Sequence, residues 1–340
     1  LQLEAVACKD WLTNKVDRSV TGKVAMQQCT GPIQLPLNNL GVMTIDFQGV
    51  KGIATALGHS PVSALIDPEA GSRLAIAESL TNLVWAPIDG QLSGISLSAN
   101  WMWPAKNKGE NSRLYKAVQA VSEFAIDLGI NIPTGKDSLS MTQKYPDGNI
   151  VYSPGTVIIT AVGEVEDIKK VVSPRLKPIL NSSIVYIDFS NYSFELGGSS
   201  FGQILNKLGT KTPDITDASY FVKAFNAVQS LISDGNILAG HDISAGGMVT
   251  TLLEMNFSNA EYGMSINLGD FEGDIVRILF SENPGVIVQT NDLSKLEETL
   301  VIDGINHMVL GKVEEARTIS LKHEDTKLEL DIERLRDIWF

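Results

Sequence analysis

Cysteine is nearly missing from this sequence: Cys8 and Cys29 are the only two among 340 residues. Two thiols build neither a disulfide framework nor a thiolate metal site, and such scarcity fits a reducing compartment in which both are buried or incidental side chains. Histidine is sparse too, at four residues (His59, His241, His307 and His323). They show no HExxH spacing, neither cysteine has a histidine nearby in sequence, and no GxSxG elbow occurs, so zinc and covalent mechanisms find no support. The Walker GK[ST] element and the GxGxxG fingerprint are absent as well, which leaves a P-loop or a Rossmann site unsupported. No run approaches the roughly 18 apolar residues of a membrane span, and no charged-then-apolar signal segment opens the chain. A cytoplasmic protein with no membrane partner is expected. Positive charge is also short. Lys and Arg number 27 against 40 Asp and Glu, for a net charge of −13, and no basic run with interleaved aromatics offsets it, so nucleic acid is not an expected partner. An acidic chain still binds an anionic nucleotide where metal ions and backbone amides meet the phosphates.

The rest of the composition is that of a globular protein, 44% hydrophobic and 20% charged with 29 Gly and 13 Pro, and its length suits two domains. The first residue is Leu1 and the last two are Trp339 and Phe340, ends that read as cut from a longer polypeptide. The stretch SRLAIAESLTNLV at 72–84 sets Leu74, Ala77, Leu80 and Leu83 at helical spacing, with Glu78 and Asn82 one turn apart on the neighbouring face. A second helix is predicted at 112–128, stopped by Gly129. Residues 138–163 read as strands, with Pro146-Asp147-Gly148 as a hairpin turn and TVIITAVG as a buried run. Between 165 and 183 the chain is charged and punctuated by Pro174 and Pro178, which places a boundary near 175 and divides the chain into domains 1–175 and 176–340. The second part predicts helices after Gly197-Gly198, at 219–233, from Gly246 to Met255 and at 331–338, with strands near 277–280, 285–289 and 307–313. That alternation suits an α/β sandwich.

Four constellations carry chemistry. Glu78 and Asn82 present oxygens that reach one hard cation, although the same spacing commonly marks a solvated helix face. Gly240-His241-Asp242-Ile243-Ser244-Ala245-Gly246-Gly247 joins an apolar run to a helix, so that backbone N–H groups approach a phosphate while Asp242 offers a metal oxygen; a plain strand-to-helix turn with a capping residue accounts for it equally. Leu196-Gly197-Gly198-Ser199-Ser200 is a glycine turn feeding another helix, or an ordinary loop. Two polar loops, Ser96 to Asn107 and Pro133 to Ser138, complete the set. In the second, Lys136 beside Asp137 positions a phosphate or forms a surface pair, and in the first Trp101 and Trp103 cap a cleft or pack.

In order along the chain, Lys9, AIAESLTN, SANWMWPA, PTGKDSLSM, LGGSS and GHDISAGGMVTTLLEM resemble the second half of the synthetase region of the phosphoribosylformylglycinamidine synthase family in its large single-chain form. The joint occurrence of GKDSLSM and HDxSxGG is the specific part, and the match runs over essentially the whole chain. The resemblance implies the aminoimidazole-ribonucleotide-synthetase superfamily and an α+β fold: an N-terminal α+β domain whose strands make a barrel with a partner, followed by a C-terminal α/β sandwich. It implies a carbon–nitrogen ligase with glutamine as amido donor, which uses ATP to convert formylglycinamide ribonucleotide to its amidine in de novo purine biosynthesis. ATP or ADP and Mg2+ are the implied cofactors. The implied partners are the other half of the synthetase core and a glutaminase domain. Carried over by position, Glu78, Asn82 and Asp242 fall on magnesium ligands, Lys9, Asn38 and Ser244 on nucleotide contacts, and Lys136, Gly197, Gly198 and Ser199 on phosphate or substrate contacts. One position departs: the family has an Asp where this chain has Asn39, which keeps an oxygen and loses the charge. In the large form this half holds an auxiliary, structural ADP. Two alternatives stand beside that reading, a self-sufficient homodimeric synthetase or kinase and a non-catalytic interaction module.

Overall fold

The computed structural model describes residues 1–259 and 261–340. Strict alternation shapes the first sheet. In β3 (Gly52–His59) every second residue is buried, and Ile53, Thr55, Leu57 and His59 are exposed, the signature of a strand with a single core face. It pairs antiparallel with β2 (Gly41–Thr44) and β8 (Thr156–Val165) in a six-stranded sheet. The other members are β1 (Val24–Met26), β4 (Ile95–Met102) and β5 (Asn131–Ser138), in the order β1-β2-β3-β8-β4-β5. The sheet is open. A separate hairpin, β6 (Thr142–Lys144) with β7 (Ile150–Tyr152), turns at Pro146-Asp147-Gly148 as the sequence predicts.

Helices α1 (Asp10–Thr13), α2 (Pro61–Ile66), α3 (Pro68–Leu83) and α4 (Glu110–Leu128) belong to this part. Asp67 starts α3 by accepting the N–H groups of Glu69 and Ala70, with Pro68 in the first turn. The helix lies so close to β3 that a Cβ on Gly58 would stand 2.2 Å from the Ser79 nitrogen. Glycine at 58 therefore lets the end of β3 touch the turn that bears Glu78.

The second sheet has seven strands: β9 (Ser183–Asp188), β10 (Ile237–Asp242), β11 (Gly263–Asn267), β12 (Gly285–Thr290), β13 (His307–Glu314), β14 (Thr318–His323) and β15 (Thr326–Asp331), ordered β10-β12-β9-β13-β11-β14-β15. The central β9 is apolar on both faces. Val185 and Ile187 join a core with α6 (Ala218–Ser233) and α9 (Leu293–Asp303). Ile184 and Tyr186 join another with α7 (Gly247–Phe257), α8 (Ile275–Phe280) and α10 (Ile332–Trp339). Helices on both faces of one sheet make the expected α/β sandwich, to which the short α5 (Ser200–Ile204) adds the turn after Gly198. The second core also ties distant chain segments together: the Trp339 indole N–H donates to the Val6 carbonyl at 2.8 Å, and the Cys8 N–H to the Trp339 carbonyl at 2.9 Å.

Two expectations are corrected. Residues 277–280 lie in α8 rather than a strand, because Asp274 caps the helix start by accepting the N–H groups of Val276 and Arg277, and a six-residue segment with five apolar side chains has no readable period. Most of the two polar loops is strand: Ser96–Met102 lies in β4 and Pro133–Ser138 in β5, which pairs parallel with β4 at the sheet edge and is largely exposed.

The two sheets meet at the segment after α3. Trp85 is fully buried, and a Cβ on Gly240 of β10 would lie 2.0 Å from its ring. Gln229 of α6 clamps the same segment. Its amide nitrogen donates to the carbonyls of Val84 and Ala86, and its oxygen accepts the Ile88 N–H at 2.7 Å. Gln229→Ala strands three buried backbone groups, each worth about 1–3 kcal/mol, so denaturant titration is expected to show a loss of about 3 kcal/mol. A loss below about 0.5 kcal/mol, the range of ordinary surface changes, contradicts the clamp.

Candidate nucleotide cleft

A cleft of about 640 Å³ opens between the two sheets, lined by Lys9, His59, Glu78, Gly198, Ser244 and Glu282 among others. Each comes from a different turn or helix face. Glu78 projects from α3, and its Oε2 accepts the His59 N–H at 2.8 Å; the imidazole Nδ1 lies 3.6 Å from the same oxygen. That carboxylate holds the His59 imidazole above its ordinary pKa. Lys9 is anchored by the carbonyls of Glu4 and Ala7, which set its ammonium on the cleft wall. Ser244 follows the end of β10, where Gly246 and Gly247 adopt φ of 94° and 73°, a left-handed pair that β-carbons disfavour.

Asp242, only 1% exposed, ends β10 two residues earlier. His241 bridges two acids, its Nδ1 to Asp242 Oδ1 and its Nε2 to Glu254 Oε2, both at 3.1 Å. Burial opposes a charge on this ring, but the hydrogen bonds to Asp242 and Glu254 outweigh it and raise the pKa to about 9. The imidazolium accordingly donates to both carboxylates at neutral pH. Among the described residues Asp242 Oδ2 has no hydrogen-bond partner, a buried carboxylate oxygen of the kind that a cation satisfies. Asn82, one turn beyond Glu78, donates its amide N–H to the carbonyls of Leu57 and Glu78. Of the three oxygen donors that the sequence analysis assigns to magnesium, Glu78 lines the cleft, while Asn82 and Asp242 are not among its lining residues. Among the described residues no three His, Cys, Asp or Glu side chains gather as a metal cluster. An ion here would draw on amide oxygens, water or ligand phosphates for much of its shell.

The other predicted residues are placed differently. Asn38 and Asn39 line a separate cavity of about 1040 Å³ along β1, β2 and β3. There the Asn38 amide donates to the carbonyls of Gln27 and Cys29, and Asn39 Nδ2 is buried without a partner. Lys136 lies on the edge strand β5, where its Nζ donates to Ser138 Oγ at 2.7 Å. Ser199 caps α5, accepting the Gly202 N–H, and a Cβ on Gly197 would lie 2.2 Å from the Lys211 carbonyl oxygen. Both serve the turn, and Gly198 and Ser200 are the members of that motif that line the cleft. Trp103 is fully buried and donates to Glu110, so it packs. Sequence reasoning missed His59 and Glu282. Burial pushes the Glu282 carboxyl up against the opposing pull of the Gly246 and Ser200 N–H groups, and only the fold brings those groups together.

Comparison with known proteins agrees with this architecture. Residues 8–164 match the FGAR-AT PurM_N-like domain and residues 191–324 the C-terminal domain of AIR synthase related proteins. The whole chain is 40% identical to the probable phosphoribosylformylglycinamidine synthase, chloroplastic/mitochondrial, of Arabidopsis thaliana and 38% identical to phosphoribosylformylglycinamidine synthase of Homo sapiens. It covers 24% and 26% of those proteins, so it spans about a quarter of their length. The structure of T. maritima PurL complexed with FGAR superimposes with a TM-score of 0.68 at 14% identity, covering 88% of this chain and 48% of that one; the same protein complexed with ADP gives 0.66. With both domains matched in order and this identity along its full length, the chain belongs to the phosphoribosylformylglycinamidine synthase family within the AIR synthase superfamily.

Proposed function

We propose that this chain is one half of the synthetase core of a phosphoribosylformylglycinamidine synthase, with domains 1–175 and 176–340, and that its cleft holds an auxiliary nucleotide with magnesium. The observation that carries the reading is Asp242 Oδ2, a buried carboxylate oxygen left without a partner two residues from Ser244 on the cleft wall. The relatives' names and the ADP complex of the T. maritima protein support it. Glu78, Asn82 and Asp242 hold the ion, whose contribution is to neutralise phosphate charge. Asn39, which lines the separate cavity, brings no charge to the ion, so affinity is lower than in a family member with an Asp ligand at that position. Lys9 exchanges its carbonyl acceptors for phosphate oxygens, and Ser244 contacts the nucleotide.

The amidation of formylglycinamide ribonucleotide with ATP and glutamine belongs to the assembled enzyme, in which the other half of the core and a glutaminase domain take part. The outward face of β2 and β3, where Met43, Ile53 and Leu57 are exposed, is where that other half packs, or a second copy of this chain.

Calorimetric titration with ADP and ATP, with and without magnesium, tests the reading. Magnesium-dependent ADP binding without hydrolysis is expected. Absence of nucleotide binding overturns it, and consumption of ATP by the lone chain with a formamide substrate and ammonia replaces it with a self-sufficient synthetase.

A further inference from the structure

The two glycine turns that the sequence singles out meet on a single atom. Glu282 Oε1 accepts the Ser200 N–H at 2.7 Å and the Gly246 N–H at 2.8 Å. Converging main-chain N–H groups are a standard means of holding a phosphate, and here the anion is the protein's own carboxylate. Beside it Ser200 Oγ, on a residue 5% exposed, is buried against the same carboxyl, which its hydroxyl helps to hold. Ser200 and Glu282 both line the cleft, as does Glu78. Ser200 and Glu282 are therefore on the ligand's side, and a carboxyl of the protein already occupies both N–H groups.

We propose that Glu282 is a specificity-determining residue of the nucleotide cleft: its carboxylate keeps the Ser200 and Gly246 N–H pair from a phosphate group, so that the cleft takes a nucleoside diphosphate and offers no donors to a further phosphate. This rests on the nucleotide reading above. It also explains how a wall carrying two carboxylates admits an anion, since phosphates come to it with a cation and not bare.

The test compares wild type, Glu282→Ala and Glu282→Gln by calorimetry with ADP and ATP in magnesium, and by thermal shift with inorganic phosphate alone. Wild type is expected to bind ADP at least as tightly as ATP and to gain nothing from phosphate. Glu282→Ala is expected to raise the ATP:ADP affinity ratio about tenfold, the effect of roughly one charge-assisted hydrogen bond, and to be stabilised by millimolar phosphate. Glu282→Gln keeps an oxygen acceptor for both N–H groups without the charge, and it carries the comparison if the alanine variant does not fold. An unchanged ratio together with no phosphate effect in a folded variant overturns the proposal. If wild type binds no nucleotide while a variant acquires phosphate-dependent stability, the internal anion stands and the nucleotide reading falls.

Discussion

Asp242→Asn is expected to abolish the magnesium-dependent rise in melting temperature that ADP gives the wild-type chain. A ligand at a hundred times its dissociation constant stabilises a protein by about 2.7 kcal/mol, which for a chain of this size is a rise of about 4 °C. The asparagine side chain has the shape of the aspartate and keeps an oxygen for His241, but it removes the charge from the atom that has no partner in the protein. Asparagine is preferred to alanine because Asp242 and Glu254 together compensate a buried imidazolium. Alanine would also leave the buried His241 Nδ1 without its hydrogen-bond acceptor, at a cost of about 1–3 kcal/mol, confusing lost binding with lost folding. The measurement is paired thermal melts with and without ADP and magnesium, each variant against its own ligand-free control. Retention of the full rise in Asp242→Asn excludes this carboxylate as an ion ligand.

The second large effect is expected at Gly240. Its missing side chain is a packing requirement, since a Cβ there would stand 2.0 Å and 2.4 Å from two ring atoms of the fully buried Trp85. Overpacking of a tight core costs about 1–3 kcal/mol and occasionally more. Gly240→Ala is expected near the upper end, at about 3 kcal/mol, because both partners are backbone-anchored and Gln229 clamps the Trp85 segment from the other side. Relief can come only from shifting β10, which carries Asp242 two residues further on, so ADP affinity should fall along with stability. The double variant Gly240→Ala with Trp85→Leu removes the clashing ring atoms and loses no hydrogen bond, because the indole nitrogen of Trp85 has no partner. It is expected to recover part of the stability with a coupling of about 1–3 kcal/mol. Additive losses in the double variant would show that the contact is not the cause.

What the sequence made legible follows the reach of local rules. Helices α3 and α4 and the β6–β7 hairpin are readable, because a 3.6-residue period and a Pro-Asp-Gly turn are properties of neighbouring residues. α8 is not, since its six residues, five of them apolar, complete fewer than two turns. β5 is not either: its sequence NIPTGKDS is polar and holds a proline and a glycine, and it becomes a strand because β4 pairs with it. Gly135 is required there, as a Cβ would lie 2.2 Å from the Ala99 carbonyl oxygen. Glu78, Asn82, Asp242, Lys9 and Ser244 stand out by resemblance to a family motif, while spacing alone favours a solvated helix face for Glu78 and Asn82 and leaves a capped turn as an equal reading for the segment with Asp242 and Ser244. Glu282 was invisible because its partners lie 82 and 36 residues away. Such distances carry no periodic signal.

The hydrogen bonds between Trp339 and the Val6–Cys8 segment bear on how the cleft is assembled as the chain is made. Lys9 sits just past that segment, and the indole that holds Val6 is 333 residues away in sequence. At ribosomal rates of about 5–20 residues per second, the segment bearing Lys9 waits tens of seconds for the indole that pins it. Residues 6–8 are thus fixed only after residue 339 has been made. A nascent chain can therefore complete both sheets and still present a cleft open on one side, to be closed only when α10 docks.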